Sequence, residues 1–458
     1  MASSRANAPT ERDRPFFAAS PRICMSALHP LLQEPPRSLN TAKLAQVFAT
    51  TENLLIVQDL DGVCMGLVKD PLTRQISPQY VEAIRAFEGH FFVLTNGEHI
   101  GKRGVNAIVD RAFADPSAVR ERGWYLPGLG AGGVQWQDRW GSVDYPGVSE
   151  AERAFLATVP DRLRRSLAEF VAARPGSLDE TTAERCIESS VLDNAVSPTA
   201  NLNTFYEVWR DRSELFAELQ QYVLELTRSL EREAAEKGLS DSFFVHLAPN
   251  LGRDETGREI VRWATEKDSG TTDFQFMLQG AIKEAGVVAI LNRYYFHRTG
   301  KYPLGETFNA RQAPKTHRAL LDLVTENFAA EAMPTIVGVG DTVNSSVIET
   351  NGIREVRRGG SDRNFLQLIQ DLEPAFNRGN IVAYVDSSGG ELANRKPVKT
   401  GTDINGYAIA IEGPGDPLDA DEPLAIDVAF AGGHEEYCTC ICQAAGDRLA
   451  APISSRTS

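Results

Sequence analysis

Three short apolar runs each end abruptly in polar residues, and their order constrains the fold more than any other feature of the chain. Leu54 to Val57 runs into Gln58, Asp59, Leu60, Asp61 and Gly62. Phe91 to Leu94 runs into Thr95, Asn96 and Gly97, and Thr335 to Val339 into Gly340 and Asp341. A fourth run, Ile381 to Val385, ends at Asp386. Apolar runs without polar alternation are what strands buried on both faces require. Helical patterns separate them, at 79–87, 282–295 and 365–372. Buried strands alternating with helices predict an α/β core, a parallel Rossmann-like sheet with helices on its faces. Such a sheet keeps its ligand site at the carboxyl edge of the strands, which would gather Asp59, Asp61, Thr95, Asn96 and Asp341 in one place.

Between the second and third runs the pattern changes. Ser149 and Glu152 have capping-box spacing. Phe155, Leu156, Val159, Leu163, Leu167 and Phe170 then recur at helical intervals. A long helix is predicted from Ser213 to Lys237, with Leu215, Leu219, Leu226 and Leu230 on one face and Gly238 as its stop. The Asn-rich stretch SVLDNAVSPTANLNTF lies between these helices, and SFFVHLAPN reads as a strand. The predicted organisation is a disordered tail over 1–40, a first core segment over 41–122, an inserted α+β cap over 123–280, and the rest of the core with a C-terminal extension over 281–458. The Gly-, Pro- and Asp-rich stretch 412–422 matches no element pattern.

Charge narrows the function. The 458 residues carry a formal net charge of -15, which argues against nucleic acid or an anionic membrane as partner. No stretch approaches the ~18 consecutive apolar residues of a bilayer span, and the N-terminal segment lacks the apolar run of a secretory signal. Cysteine is sparse, which suits a reducing compartment; the expected location is the cytoplasm. The late group Cys438, Cys440 and Cys442, near His434, lacks zinc spacing and reads as small apolar residues packed along a helix.

The strand-end residues are the parts of a phosphoryl-transfer site working through an aspartyl phosphate. Asp59 can attack phosphorus once a hard cation such as Mg2+ screens the anionic ester; Asp59, Asp61 and Asp341 are the candidate ligands. Asp61, two residues past the nucleophile, can protonate the leaving oxygen and then activate water. Thr95 can hydrogen-bond a phosphoryl oxygen, and a Lys can neutralise transition-state charge. Lys283 and Lys315 both open predicted helices, and Lys283 is the favoured of the two.

LLIVQDLDGV, FFVLTNGE and IVGVGDTVNSS resemble the first, second and fourth motifs of the haloacid-dehalogenase superfamily. KEAGVVAILNRYY is similar to the Lys-bearing helix start of its sugar-phosphatase branch, and GAGGVQWQDRWG to the Gly-rich hairpin before that branch's large α+β cap. The resemblance implies that Asp59 is the nucleophile, Asp61 the acid and base, and the cap the reader of the leaving group. Two departures stand out: Val63 replaces a common Thr, and Asn344-Ser345 replaces Asn-Asp. The third metal position is thus left to Asn344, a water or Asp362.

Longer stretches, including FVLTNGEHIGKRGV, SPTANLNT, DSGTTDFQFML and RRGGSDRNFLQLIQDL, resemble the cyanobacterial glucosylglycerol-phosphate phosphatase family from about residue 40 to near the C-terminus. This implies a sugar-phosphate substrate, glucosylglycerol 3-phosphate, with Mg2+ as cofactor and a role in compatible-solute synthesis under salt stress. An association with the synthase that makes the precursor is a further expectation. Candidate phosphate- and sugar-binding residues are Asn96, Asn344, Asn194, Asn201, Asn203, His246, Asn250, Arg253, Asp268, Thr271, Thr272 and Asp273, chosen because they donate and accept hydrogen bonds; a turn or cap role is as compatible with each. Trp136 and Trp140 fit stacking or core, and Arg357 and Arg358 fit phosphate binding or a solvated turn. The competing functions are a broader sugar-phosphate phosphatase, a phosphomutase, and a catalytically idle binding homologue; the intact Asp59, Asp61, Thr95 and Asp341 weigh against the last.

Overall fold

The strand Leu54–Gln58 lies at the heart of an eight-stranded sheet, in a computed structural model that describes residues 32–350, 353–392 and 394–450. It pairs in parallel with Thr335–Gly340 on one side and Phe91–Leu94 on the other. Ile381–Val385 and then Val428–Phe430 extend the parallel sheet beyond Thr335–Gly340. All five residues of Leu54–Gln58 are buried, as a strand covered on both faces must be. Its alternate residues feed opposite cores: Leu54 and Ile56 pack with Phe48, Tyr80, Tyr437 and Ile441, while Leu55 and Val57 pack with Val288, Leu291, Leu366 and Ile369. One face is therefore covered by the helices Thr41–Thr50, Pro78–Ala83, Val105–Ala112 and Gly433–Ala450, the other by Lys283–Thr299, His317–Asn327 and Arg363–Phe376.

The described part of the presumed tail is built into this core. Leu32 is buried, Ser38 bridges Val428, and Arg37 donates its N–H to the Ile426 carbonyl at 2.9 Å. Residues 1–31 lie outside the described residues. The cap also begins later than residue 123. Gly128–Gly130 pairs in parallel with Phe91–Leu94, and Gln135–Gln137 and Val143–Asp144 complete the sheet edge in antiparallel fashion. Glycine permits this: Gly128 has φ +140, and a Cβ there would sit 2.2 Å from the Val93 carbonyl oxygen. The Gly-rich segment expected as a hairpin is one, Gly128–Gly130 with Gln135–Gln137, and its glycines also let the first strand approach Phe91–Leu94 closely. Trp136 packs on Phe92 beneath Arg293, and Trp140 is half exposed at the rim.

The Ser149–Glu152 capping box opens the cap helix Glu150–Leu156. Val159–Ala172, Glu180–Ser190 and Ser213–Glu236 follow, against a four-stranded antiparallel sheet in which Asp273–Leu278 lies between Thr199–Asn201 and Phe243–Ala248. The cap has its own core, around Leu163, Phe205, Trp209, Leu219 and Phe274. Glu98 clasps cap to core: its buried carboxylate accepts the N–H groups of Ala195 and Val196 and the Ser197 hydroxyl.

The C-terminal helix buries Cys438 and Cys440 against Cys64 and Thr41, whose carbonyls their thiols approach at 3.5 Å. Burial pushes both thiols up to about 12, so they act as small core residues rather than thiolate ligands. The stretch 412–422 packs on the hairpin Asn344–Thr350 and Ile353–Gly359, where Arg358 forms a two-pronged pair with Asp419 at 2.6 and 2.8 Å. That pairing occupies Arg358 with structure rather than phosphate.

Candidate active site

The parallel register brings the three strand ends together. Gln58 lies beside Val339 and Val93, so Asp59, Asp341 and Thr95 emerge at one edge. Gln58 is fully buried and anchors this edge: its Oε1 accepts the hydroxyls of Tyr80 and Tyr437 at 2.9 and 2.6 Å, and its Nε2 donates to the Asp59 carbonyl at 3.0 Å. The Asp59 Oδ1 accepts the Leu60 N–H at 2.7 Å, which orients the carboxylate. Gly62 (φ +80) closes the following turn, and a Cβ there would lie 2.2 Å from Asp341 Oδ2. Glycine is thus needed at that position both for its backbone angle and for space.

Lys283, the first residue of its helix, is buried between two carboxylates. Its Nζ is 2.6 Å from Asp59 Oδ2 and 2.6 Å from Asp362 Oδ1. Lys315 is exposed and lines a groove between cap and core residues that does not include Asp59; geometry therefore favours Lys283. The other Asp362 oxygen accepts the backbone N–H groups of Asp341 and Thr342, each at 2.9 Å. Burial acts to raise the Asp362 carboxyl, but Lys283 and these N–H groups overcome it and hold the group below its ordinary value. Asp59 goes the other way. Burial first, then the charges of Asp362 and Asp341, push it well up despite Lys283. Burial opposes charge on Lys283 too, yet its two carboxylates win and raise its pKa.

Asp59, Asp341 and Asp362 each place one carboxylate oxygen within 4.8 Å of the other two. The buried Asp341 Oδ2 makes no hydrogen bond among the described residues. Three hard oxygen donors, one of them unsatisfied, fit a divalent cation. Asp61 is not in this trio. It lies at the start of the turn, before Gly62, and pairs with Arg74 at 2.8 Å, facing the open cleft.

The cleft beside Asp59 is lined from the core by Asp61, Arg74, Thr95, Asn96, Asp341 and Arg395, and from the cap by Asn194, Asn201, Asn203, Asp273 and Gln275. Asn201 donates to Asp273 at 2.6 Å, and Asn203 donates to Asn201 at 3.1 Å. These expected sugar-facing residues therefore form one hydrogen-bonded row opposite the nucleophile. His246 stands in an adjoining hollow with Asn96 and Lys283, its ring nitrogens 2.9 Å from Asn96 Nδ2 and from Glu259 Oε1. Arg253 lies farther out, 3.7 Å from Glu259. Thr272 is buried within the cap, its N–H on the Ala248 carbonyl, and Asn344 lies in a separate hollow beyond Asp341. Thr272, Asn344 and Arg253 are absent from the cleft lining. Asn250, Asp268 and Thr271 shape turns: Asn250 accepts from Gly252, Asp268 from Gly270, and the Thr271 hydroxyl donates to the Pro249 carbonyl. Arg74, Gln275 and Arg395 were not among the sequence candidates; single residues without fixed spacing to any motif leave no signal.

Asp273 carries a measurable signature. Burial pushes its carboxyl up to about 6, against the Asn201 hydrogen bond and the charges of Arg74 and Arg395. A carboxyl whose folded pKa exceeds its unfolded value, ~3.9, stabilises the fold as pH falls through that interval and costs stability above it. Asp273→Asn is accordingly expected to raise the melting temperature at neutral pH and to flatten its rise on acidification. A melting temperature that drops at neutral pH would show that the ionised group is stabilising.

Residues 53–445 match the family described as glucosylglycerol-phosphate phosphatase. The chain is 56% identical over 411 residues to a glucosylglycerol-phosphate phosphatase from Synechocystis sp., an alignment covering 90% of this chain and 97% of that protein. Among solved structures it is similar to the C-terminal domain of a trehalose-6-phosphate phosphatase from C. albicans, at 11% identity and a TM-score of 0.43, covering 90% of this chain and 99% of that one.

Proposed function

The chain belongs to the glucosylglycerol-phosphate phosphatase family, and we propose that it hydrolyses glucosylglycerol 3-phosphate through an aspartyl phosphate on Asp59. The observation that carries this reading is the pairing of a strand-end Asp59, held by Lys283 at 2.6 Å, with a polar cap row across one cleft. The phosphate end meets carboxylates and cations, and the glycosyl end meets Asn201, Asn203 and Asp273.

Asp59 attacks phosphorus, and the bond to the glycerol oxygen breaks. Asp61, at the cleft mouth, gives its proton to that oxygen. It then takes a proton from the water that attacks the phosphoenzyme, which frees phosphate and restores Asp59. The Thr95 hydroxyl accepts the Gly97 N–H at 3.1 Å, which leaves its own hydrogen for a phosphoryl oxygen. Lys283 balances the charge that grows on the phosphoryl group. Asp59, Asp341 and Asp362 would hold a divalent cation, Mg2+ in this proposal, which when bound screens the ester's negative charge.

The physiological part of the proposal is compatible-solute synthesis for salt tolerance in the cytoplasm. No helix among the described residues is long and apolar enough to cross a membrane. Handover from the synthase that makes the precursor belongs to the same proposal, with no surface on this chain assigned to it. Phosphate release is to be measured with Mg2+ and with EDTA on glucosylglycerol 3-phosphate, sucrose 6-phosphate, trehalose 6-phosphate and glycerol 3-phosphate. The expected result is metal-dependent release that strongly prefers the first. Equal release from all four would sink the substrate while leaving the chemistry, and no release would sink both.

A further inference from the structure

Arg74, Arg103 and Arg395 are cations in the cleft that the mechanism above does not use, and Arg395 differs from the other two in its partners. It follows the strand Ile381–Val385 in a loop whose base is pinned by Asp386, which accepts the N–H groups of Ser388 and Val398, each at 2.8 Å. The loop reaches both halves of the molecule. Glu391 donates its N–H to the Leu67 carbonyl of the core at 2.8 Å, and buried Asn394 donates to the Gly270 carbonyl of the cap at 3.3 Å. Directly after these ties Arg395 enters the cleft that holds Asp59, Asp61, Thr95 and Asp273.

The other cations at this site are committed. Lys283 is clamped by Asp59 and Asp362, Arg74 pairs with Asp61 at 2.8 Å, and Arg103 pairs with Asp193 at 3.1 Å. Arg395 has only a looser ion pair, with Asp341, and no carboxylate within hydrogen-bond distance. Its terminal nitrogens touch neutral oxygens, Asn394 Oδ1 at 3.1 Å and Thr342 Oγ1 at 3.3 Å. Its Nε lies 3.6 Å from Asp341 Oδ2, too far for a hydrogen bond, and is buried with no partner among the described residues. A largely buried guanidinium without a hydrogen-bonded anion is costly, and its planar fork matches phosphate oxygens. Asp341 would be shared with a divalent cation, and Asp273 accepts no hydrogen bond from Arg395 among the described residues, which leaves the guanidinium fork open to a phosphoryl group in the same cleft.

We propose that Arg395 binds the phosphoryl group of the substrate and thereby favours the anionic ester over the neutral product in the cleft. The inference rests on the phosphatase reading. The test compares wild type with Arg395→Gln and Arg395→Lys in two assays, steady-state hydrolysis of the preferred ester and calorimetric titration of inorganic phosphate into the Mg2+-loaded protein. Loss of a charge-assisted contact should raise KM and the phosphate Kd together, by about ten- to a hundredfold in Arg395→Gln. Arg395→Lys, which keeps the charge but not the fork, should fall between. The Mg2+ concentration for half-activation should not move. Unchanged KM and phosphate Kd would overturn the proposal, as would a loss confined to kcat. Should Arg395→Gln fail to fold, Arg395→Lys decides: wild-type phosphate affinity in that variant overturns it. A wild-type protein that hydrolyses no phosphate ester would sink the phosphatase reading, whereas an Arg395 variant with wild-type KM sinks this inference alone.

Discussion

Replacing Asp59 by Asn is expected to lower phosphate release by on the order of 10⁴-fold or more, because the step that forms the covalent intermediate loses its nucleophile. The amide has nearly the same shape and can still accept from the Leu60 N–H and lie against Lys283, which keeps Asp362 as its second anion. Burial and two neighbouring carboxylates disfavour charge on Asp59. Neutralising it should therefore leave the fold intact, with a melting temperature equal to or above that of the wild type. The paired measurement is a phosphate-release assay and a thermal melt on the same preparation. Substantial activity in a folded Asp59→Asn protein would refute the assignment of the nucleophile. Lost activity with lost folding would instead show that the ion pair with Lys283 is structural.

The second large effect is expected at Lys283. Its ammonium sits 2.6 Å from each of two buried carboxylates, and a third, Asp341, stands in the same cluster. Lys283→Met removes the cation and leaves the acids facing one another in a low-dielectric site. Breaking a buried pair by deleting one partner typically costs about 3–5 kcal/mol, here in addition to lost turnover. The remaining carboxylates would bind protons more tightly in the folded state than when unfolded, so the deficit should shrink as pH falls. Adding Mg2+ should also recover part of it, since a bound cation restores positive charge to the cluster. Urea denaturation at neutral and mildly acidic pH, with and without Mg2+, checks all three points. A variant as stable as the wild type in metal-free buffer would mean that Lys283 does not hold the cluster together.

Much of this site is legible in the chain alone, for a local reason. Asp59, Thr95 and Asp341 each follow an apolar run by no more than one intervening residue, and the paired strands are parallel and in near register. Adjacent strand ends must then meet. The core boundaries are less legible because burial can be hidden in short segments. Leu32 and Ser38 belong to no periodic pattern, yet they pack on Val428 and its neighbours. Gly128–Gly130 offers a single apolar side chain, Leu129, too little to betray a strand, and its closeness to Val93 becomes visible once the two backbones lie side by side. The cap candidates divide along the same line. Asn201 and Asp273 face the cleft from the ends of paired strands, and Asn203 from the start of the helix Asn203–Val208 that follows; Thr272, one residue from Asp273, points into the cap, as alternation along an extended chain requires.

The sequence by itself determined the order of the strands along the chain, the residues at their carboxyl ends, and the interruption of the pattern by an inserted segment, since hydrophobic period and turn chemistry are properties of neighbouring residues. Tertiary structure alone decided which distant charges share one site. Asp362 reaches Asp341 across 21 positions with backbone contacts at 2.9 Å, Arg74 reaches back to Asp61, and Arg395 enters from a loop after the fourth strand. None of these has a fixed spacing to a motif. Coulomb energy and desolvation depend on distance through space rather than along the chain, so Arg74 and Arg395 came into view, and Asp362 was set apart from Asn344 beside Asp59 and Asp341, once the sheet, the cap and the C-terminal loop had closed around them.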